Sequence, residues 1–139
     1  MKQARLIMIH KQDGSARLRF LKLSYGGVCG FSPIPALAQI QERPKADKFL
    51  LHPAQLVKEA EDYFGLSSGD LEIVGEYQVF VDVADGPLQI FLASFTSIDP
   101  PFVEVQSRDA EFIELPQAQN LSQIELELLR EVYSLVIGG

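Results

Sequence analysis

Cysteine is nearly absent from this chain of 139 residues, which contains one, Cys29. A single cysteine excludes an internal disulfide, and it excludes a zinc site built from several thiolates. A lone thiol commonly packs as a small hydrophobic side chain, and we prefer that interpretation of Cys29 to a catalytic nucleophile.

Basic residues are also scarce. The chain has 12 lysines and arginines against 19 aspartates and glutamates, so its formal net charge is −7. An acidic surface repels a phosphate backbone, and we therefore expect no nucleic-acid polymer as a partner. A small anionic ligand stays open, because a bound cation can reverse the local field.

Long apolar runs are missing as well. The first one, Leu6 to Ile9, is too short for the core of a signal peptide, and no later stretch approaches the length of a membrane span. We therefore expect a cytoplasmic protein with no membrane partner. With 47% hydrophobic residues, the chain suits a single domain over residues 1–139.

The chain begins with a pattern that is typical of a hairpin. Ala4 to His10 and Ala16 to Leu23 are apolar enough for two strands, and turn-forming residues separate them. Three glycines follow closely, and they allow the backbone to approach a ligand; they are Gly26, Gly27 and Gly30. The sequence thus predicts two paired strands and a glycine-rich loop.

The middle of the chain predicts a long surface loop and then a helix. Ser32 to Lys48 is poorly patterned and contains three prolines, which indicates a loop with a short helical turn. His52 to Phe64 has apolar residues at helical spacing, and Gly65 follows where a C-terminal cap belongs.

The rest of the chain predicts several strands and a final helix. The predicted strands are Glu72–Val83, Leu88–Thr96, the short edge strand Phe102–Val105, and Ala110–Leu115. Leu121 to Ile137 predicts an amphipathic helix, in which Ser122 and Glu125 form a capping box. We place glutamates 125, 127 and 131 mostly on its wet face. The order predicts an α/β fold, with a mixed sheet between the helix of residues 53–64 and the helix of residues 122–137.

The end of the first helix resembles the second half of the Nudix box, R-E-U-x-E-E-x-G-U, in which U is a bulky aliphatic residue. Lys58 stands at the arginine and Glu59 at the glutamate after it, while Asp62 and Tyr63 stand at the paired glutamates. Ala60, Gly65 and Leu66 match the remaining positions. The glycine-rich loop is also similar to the family's loop ahead of the box. The segment Ala110 to Pro116 is similar to the aromatic strand and corner that precede the family's last helix. The resemblance implies a Nudix-like α/β/α sandwich with a mixed β-sheet.

The first half of the box is not matched. The family's spacing puts its first glycine at Pro44 and its first glutamate at Leu50. If Gly30 is the loop glycine, residues 31–45 form an insertion. Tyr63 replaces a carboxylate, and a phenol is a poor ligand for a hard cation.

The resemblance implies a Mg²⁺ or Mn²⁺ ion that bridges phosphate oxygens and activates water. Glu59 is the candidate catalytic residue, and Glu59, Asp62 and Glu104 are the candidate metal ligands. Glu111 and Glu114 are weaker alternatives to Glu104. We expect Mg²⁺ to bind weakly or not at all without substrate, because two carboxylates seldom hold it alone.

The remaining candidates concern a ligand. Gly26, Gly27 and Gly30 are predicted to contact it, together with Lys58, Tyr63 and His52, which precedes the helix start where anions are favoured. For His52, and for His10, a structural or solvent-facing role is the preferred interpretation.

Three functions follow from this sequence. The first is a Nudix-like domain with an eroded metal site, which binds a nucleotide-like or other small phosphorylated ligand with little or no hydrolysis. The second is an active Mg²⁺-dependent Nudix hydrolase of nucleoside-diphosphate derivatives. The third is a non-catalytic interaction module, and a homodimer is left open for all three.

Overall fold

The computed structural model describes residues 4–12, 14, 17–30, 34, 39–41, 53–77, 79–83 and 86–138. In chain order the strands are β1 (Ala4–Lys11), β2 (Leu18–Lys22), β3 (Gln39–Gln41), β4 (Leu71–Ile73), β5 (Val79–Val83), β6 (Gly86–Phe95) and β7 (Glu111–Ile113). The helices are α1 (Pro53–Phe64), α2 (Phe102–Gln106) and α3 (Gln123–Val136), with a 3₁₀ turn at Leu115–Gln117. Within these ranges no helix has the length and apolar character needed to cross a membrane.

The strands form one mixed sheet in the order β3-β5-β6-β1-β2-β7, and β4 pairs with the far end of β6. β1 and β6 run parallel at the centre, with Leu6 opposite Phe91. The other pairings are antiparallel. The predicted mixed sheet and the β1–β2 hairpin are therefore confirmed.

The two long helices lie on opposite faces of this sheet, because alternate strand residues feed two separate apolar layers. Ile7 and Ile9 of β1 pack in the α3 layer. Leu6 and Met8 pack in the α1 layer. The helices contribute Val57, Ala60 and Phe64 to the α1 layer, and Ile124, Leu128, Leu129 and Val132 to the α3 layer. This arrangement confirms the predicted α/β/α sandwich.

The predicted edge strand at Phe102–Val105 is wrong, since these residues begin helix α2. The amide of Phe102 donates to the carbonyl of Pro100 at 2.8 Å, and that of Val105 to Pro101 at 3.2 Å. The helical turn buries Val105 and leaves Val103 78% exposed. Four residues are too few for apolar spacing to separate a strand from a helix.

The predicted strand Glu72–Val83 is divided in two by a turn, in which the Tyr77 amide donates to the Val74 carbonyl at 3.2 Å. The turn is needed because the two halves pair with different parts of β6: Leu71 lies opposite Phe95, and Val79 opposite Ile90. A short strand, β3, lies within the predicted loop Ser32–Lys48 and pairs with β5. Most of that loop, and of the insertion at residues 31–45, lies outside the described residues.

Candidate functional site

Helix α1 ends sharply at the end of the Nudix-like motif. Gly65 has a φ of 69°, in the left-handed region that favours glycine. Its amide donates to the Asp62 carbonyl at 3.2 Å, and the Leu66 amide donates to the Glu61 carbonyl at 2.8 Å. These two bonds form a Schellman cap. The cap sets the direction in which the chain leaves the helix, as the glycine in the sequence predicted.

The motif residues of α1 face different surroundings. Tyr63 and Glu59 are half-buried, whereas Asp62 and Lys58 are exposed. Glu61, which the motif leaves unspecified, is buried, and its Oε2 accepts hydrogen bonds from the amides of Gly69 and Leu71 at 2.9 and 3.2 Å. Glu61 therefore attaches the helix to the start of β4.

An arginine that the sequence analysis did not select covers Tyr63. The Nε of Arg108 donates to the Tyr63 carbonyl at 2.8 Å, and the guanidinium carbon lies 4.6 Å from the centre of the tyrosine ring. This distance is within the range of a cation–π contact. A positive charge thus stands against Tyr63, at a position where the resemblance implies a metal-binding carboxylate. Arg108 and Tyr63 are 45 positions apart in the sequence, so only the fold brings them together.

The predicted third carboxylate, Glu104, lies exposed in the first turn of α2. Within the described parts of the chain, no three His, Cys, Asp or Glu side chains form a group that could hold a metal ion. Glu59, Asp62 and Glu104 are all described, so the fold does not gather them as predicted. A hard cation such as Mg²⁺ requires several oxygen ligands, and these residues do not fit it.

The two weaker carboxylate candidates have other surroundings. Glu111 lies exposed on the edge strand β7. Glu114 forms an ion pair with Arg17 at 3.1 Å, and its side chain and that of Gln117 cap the 3₁₀ turn.

The glycine-rich loop binds a carboxylate of the protein itself. The Oε2 of Glu125 accepts hydrogen bonds from the Val28 amide at 2.9 Å, the Tyr25 hydroxyl at 2.9 Å and the Cys29 amide at 3.3 Å. Glu125 is only 5% exposed. Burial, and then the charge of Glu125, raise the pKa of Tyr25 above its usual range, so the phenol remains a donor.

Close packing against side chains of the protein limits the space at two of the three predicted ligand-contacting glycines. A Cβ on Gly27 would lie 2.5 Å from Oε2 of Glu125, and a Cβ on Gly30 would lie 2.7 Å from Cδ of Arg5. Gly26 has a φ of 98° and open space beside it. The approach that requires Gly27 and Gly30 is therefore to internal side chains.

The prediction that Glu125 lies on the wet face of the final helix is wrong. The capping box is half correct: the Glu125 amide donates to Ser122 Oγ at 3.4 Å. The Glu125 side chain turns inward to the glycine-rich loop instead of completing the box. Nothing in the local sequence indicates this contact, because the loop and the carboxylate are about 100 residues apart.

The two histidines are placed differently. His10 is fully buried, and its Nε2 lies 2.9 Å from the Ser97 carbonyl. A carbonyl only accepts hydrogen bonds, so Nε2 carries the proton and ties β1 to the loop after β6. This is the structural role preferred for His10. The prediction for His52 falls outside the described residues.

Cys29 is fully buried, as the sequence indicated. Burial, and then the nearby charge of Glu125, raise the pKa of its thiol well above the usual value. We expect native protein to react with a disulfide reagent about 100-fold more slowly than unfolded protein. Release of the coloured thiol product, with and without guanidinium, measures this. Equal rates would mean that the glycine-rich loop opens in the native state.

Comparison with known proteins adds to this geometry. No protein-family model and no curated protein matches the chain. Among solved structures, the crystal structure of the C. elegans Ap4A hydrolase matches with a TM-score of 0.55 and 17% identity, covering 96% of each chain. That protein is a Nudix enzyme. The chain therefore has a Nudix-like fold over nearly its whole length.

Proposed function

We propose that this chain is a Nudix-like domain that binds a small phosphorylated ligand and hydrolyses it little or not at all. The observation that carries the proposal is the Arg108 guanidinium held on Tyr63. In the family's motif, this part of the helix presents a carboxylate to a metal ion. Here it presents a fixed organic cation.

A divalent cation in such a site binds phosphate oxygens and activates water, and a guanidinium can perform only the first of these tasks. Its planar donors are always charged and pair with phosphate oxygens, often through two parallel hydrogen bonds. It only donates hydrogen bonds and is not a Lewis acid, so it does not generate the hydroxide that a bound metal supplies. This difference favours binding of a phosphoryl group over its hydrolysis.

The position of Arg108 suits that role. Its Nε donates to the Tyr63 carbonyl and its guanidinium carbon lies over the ring, so the side chain is held while remaining exposed. The terminal amino groups remain for a ligand. Fixing the side chain in advance reduces the entropy lost on binding. We infer that Arg108, a residue absent from the sequence-based candidates, is the main contact for the phosphate.

Removing Arg108 tests the proposal. We expect Arg108→Ala to weaken binding of ADP and ADP-ribose at least about tenfold, the scale of one charge-assisted hydrogen bond. Arg108→Lys should recover only part of the affinity, because an ammonium lacks the planar pair of donors. Titration calorimetry without added metal measures each dissociation constant.

Arg130→Ala is the matched control, since Arg130 is an exposed arginine on α3, across the sheet. It removes the same charge and should leave affinity unchanged. An equal loss of affinity in both variants would show that the effect comes from overall charge and not from the position of Arg108. Undiminished binding by Arg108→Ala would overturn the assignment of this residue.

A further inference from the structure

A groove of about 460 Å³ lies between α1 and residues 66–73, which comprise β4 and the segment before it. Ala54, Leu66 and Ile73 contribute accessible apolar surface to it, and the buried Val57 and Leu71 lie beneath them. Lys58, Asp62 and Glu72 contribute charged groups. Its described lining includes Lys58 and Asp62 of the motif, but neither Tyr63 nor Arg108, the two residues that carry the phosphate site proposed above. The volume is within the usual range of small-molecule sites.

The wall of the groove is held by bonds on both sides. From the helix, Glu61 accepts the amides of Gly69 and Leu71. From the sheet, Thr96 Oγ1 donates to the Gly69 carbonyl at 2.9 Å, and the Thr96 amide donates to the Asp70 carbonyl at 2.9 Å. A ligand would therefore meet a surface that is already formed, which lowers the cost of ordering on binding.

The charges around the groove are unequal. Glu61, Asp62 and Glu72 each bring a carboxylate, while Lys58 brings one ammonium. Backbone amides satisfy the hydrogen bonding of buried Glu61 without neutralising its charge. The local excess is negative, so the groove disfavours phosphates and carboxylates and attracts cations.

We propose that this groove binds a small organic cation: an alkyl chain that ends in an ammonium group. The chain would lie on the apolar surface of Ala54, Leu66 and Ile73, and the ammonium would face Asp62 and Glu72. Each part of such a ligand meets the surface that suits it, because apolar burial drives the chain inward and the carboxylates replace water around the charge. This inference uses neither the Arg108 nor the Tyr63 contact on which the phosphate site rests.

Pentylamine tests the proposal, with pentanol and pentanoate as neutral and anionic matches. We expect saturable amide NMR shifts at Asp62, Ser68, Gly69 and Glu72 with pentylamine. Pentanol and pentanoate should bind at least about five-fold more weakly, which is the effect expected from the loss of two exposed ion pairs. Undetectable shifts with pentylamine, or equal binding of pentanoate, would overturn it.

Three variants define the charge contribution. Asp62→Asn with Glu72→Gln should lower affinity for pentylamine about five-fold. Lys58→Met should raise it, because the remaining local charge becomes more negative. Glu76→Gln with Asp99→Asn removes the same charge from exposed positions outside the groove and should have no effect. An equal loss with this control pair, or a loss with Lys58→Met, contradicts the proposal.

Discussion

Replacing Glu125 with alanine is expected to lower the free energy of unfolding by about 3 kcal/mol, because several buried donors lose their acceptor. The Val28 amide and the Tyr25 hydroxyl each lie 2.9 Å from Oε2 of Glu125. Water cannot easily replace the carboxylate, since Glu125 is 5% exposed and Val28 is fully buried. Urea denaturation at neutral pH measures the change.

Two further variants separate this role from a general effect on α3. Glu125→Gln keeps an acceptor oxygen and should cost about 1 kcal/mol, the usual value of one neutral hydrogen bond. Glu127→Ala, on the same helix, removes a long contact from Gln123 at 3.4 Å and a like charge near Glu131, and should change the free energy of unfolding by no more than about 0.5 kcal/mol. A loss in Glu125→Ala as small as that in Glu127→Ala would show that the carboxylate does not hold the loop.

The thiol of Cys29 gives an independent readout of the same contact. Its amide is 3.3 Å from Glu125 Oε2, and the side chain is fully buried. In Glu125→Ala the loop loses its attachment, so Cys29 should react faster with a disulfide reagent under native conditions. Unchanged thiol reactivity together with lowered stability would place the damage elsewhere in α3.

Hydrolysis of dinucleoside polyphosphates and ADP-ribose is expected to be at least about 100-fold slower than in a Nudix enzyme with an intact motif, since one lost charge-stabilising contact costs about that much. The proposed reason is the donor set: Tyr63 stands where the resemblance implies a carboxylate, and Arg108 adds a positive charge beside it. Phosphate release with Mg²⁺ or Mn²⁺ measures the rate.

A restored donor set tests the reason for low activity. In the double variant Tyr63→Glu with Arg108→Ser, Mn²⁺ should broaden the amide signals of residues 59–66, and Mn²⁺-dependent hydrolysis should rise. Adding Glu59→Gln should remove both gains. If the native chain already turns over these substrates at ordinary enzymatic rates, the eroded-site proposal is wrong, and the hydrolase that uses Glu59, Asp62 and a later carboxylate replaces it.

The sequence was most informative where contacts are local. Gly65 after a run of helical spacing predicted the end of α1, and the Schellman bonds confirm it. Ser122 similarly predicted the start of α3. The segment Phe102–Val105 shows the limit, because both secondary structures accommodate so short an apolar run and only the burial of Val105 decides between them.

The α/β class, the two long helices, the paired first strands and the resemblance that implies a Nudix-like fold could all be predicted from the sequence. These follow from apolar period, caps and turns, which act over a few residues. Two contacts could be found only in the folded chain: Glu125 accepts hydrogen bonds from the glycine-rich loop, and Arg108 covers Tyr63. Each of these contacts joins residues far apart in the chain. The sequence does not show whether a charged residue lies at the surface or makes an internal contact, because only the fold sets its neighbours.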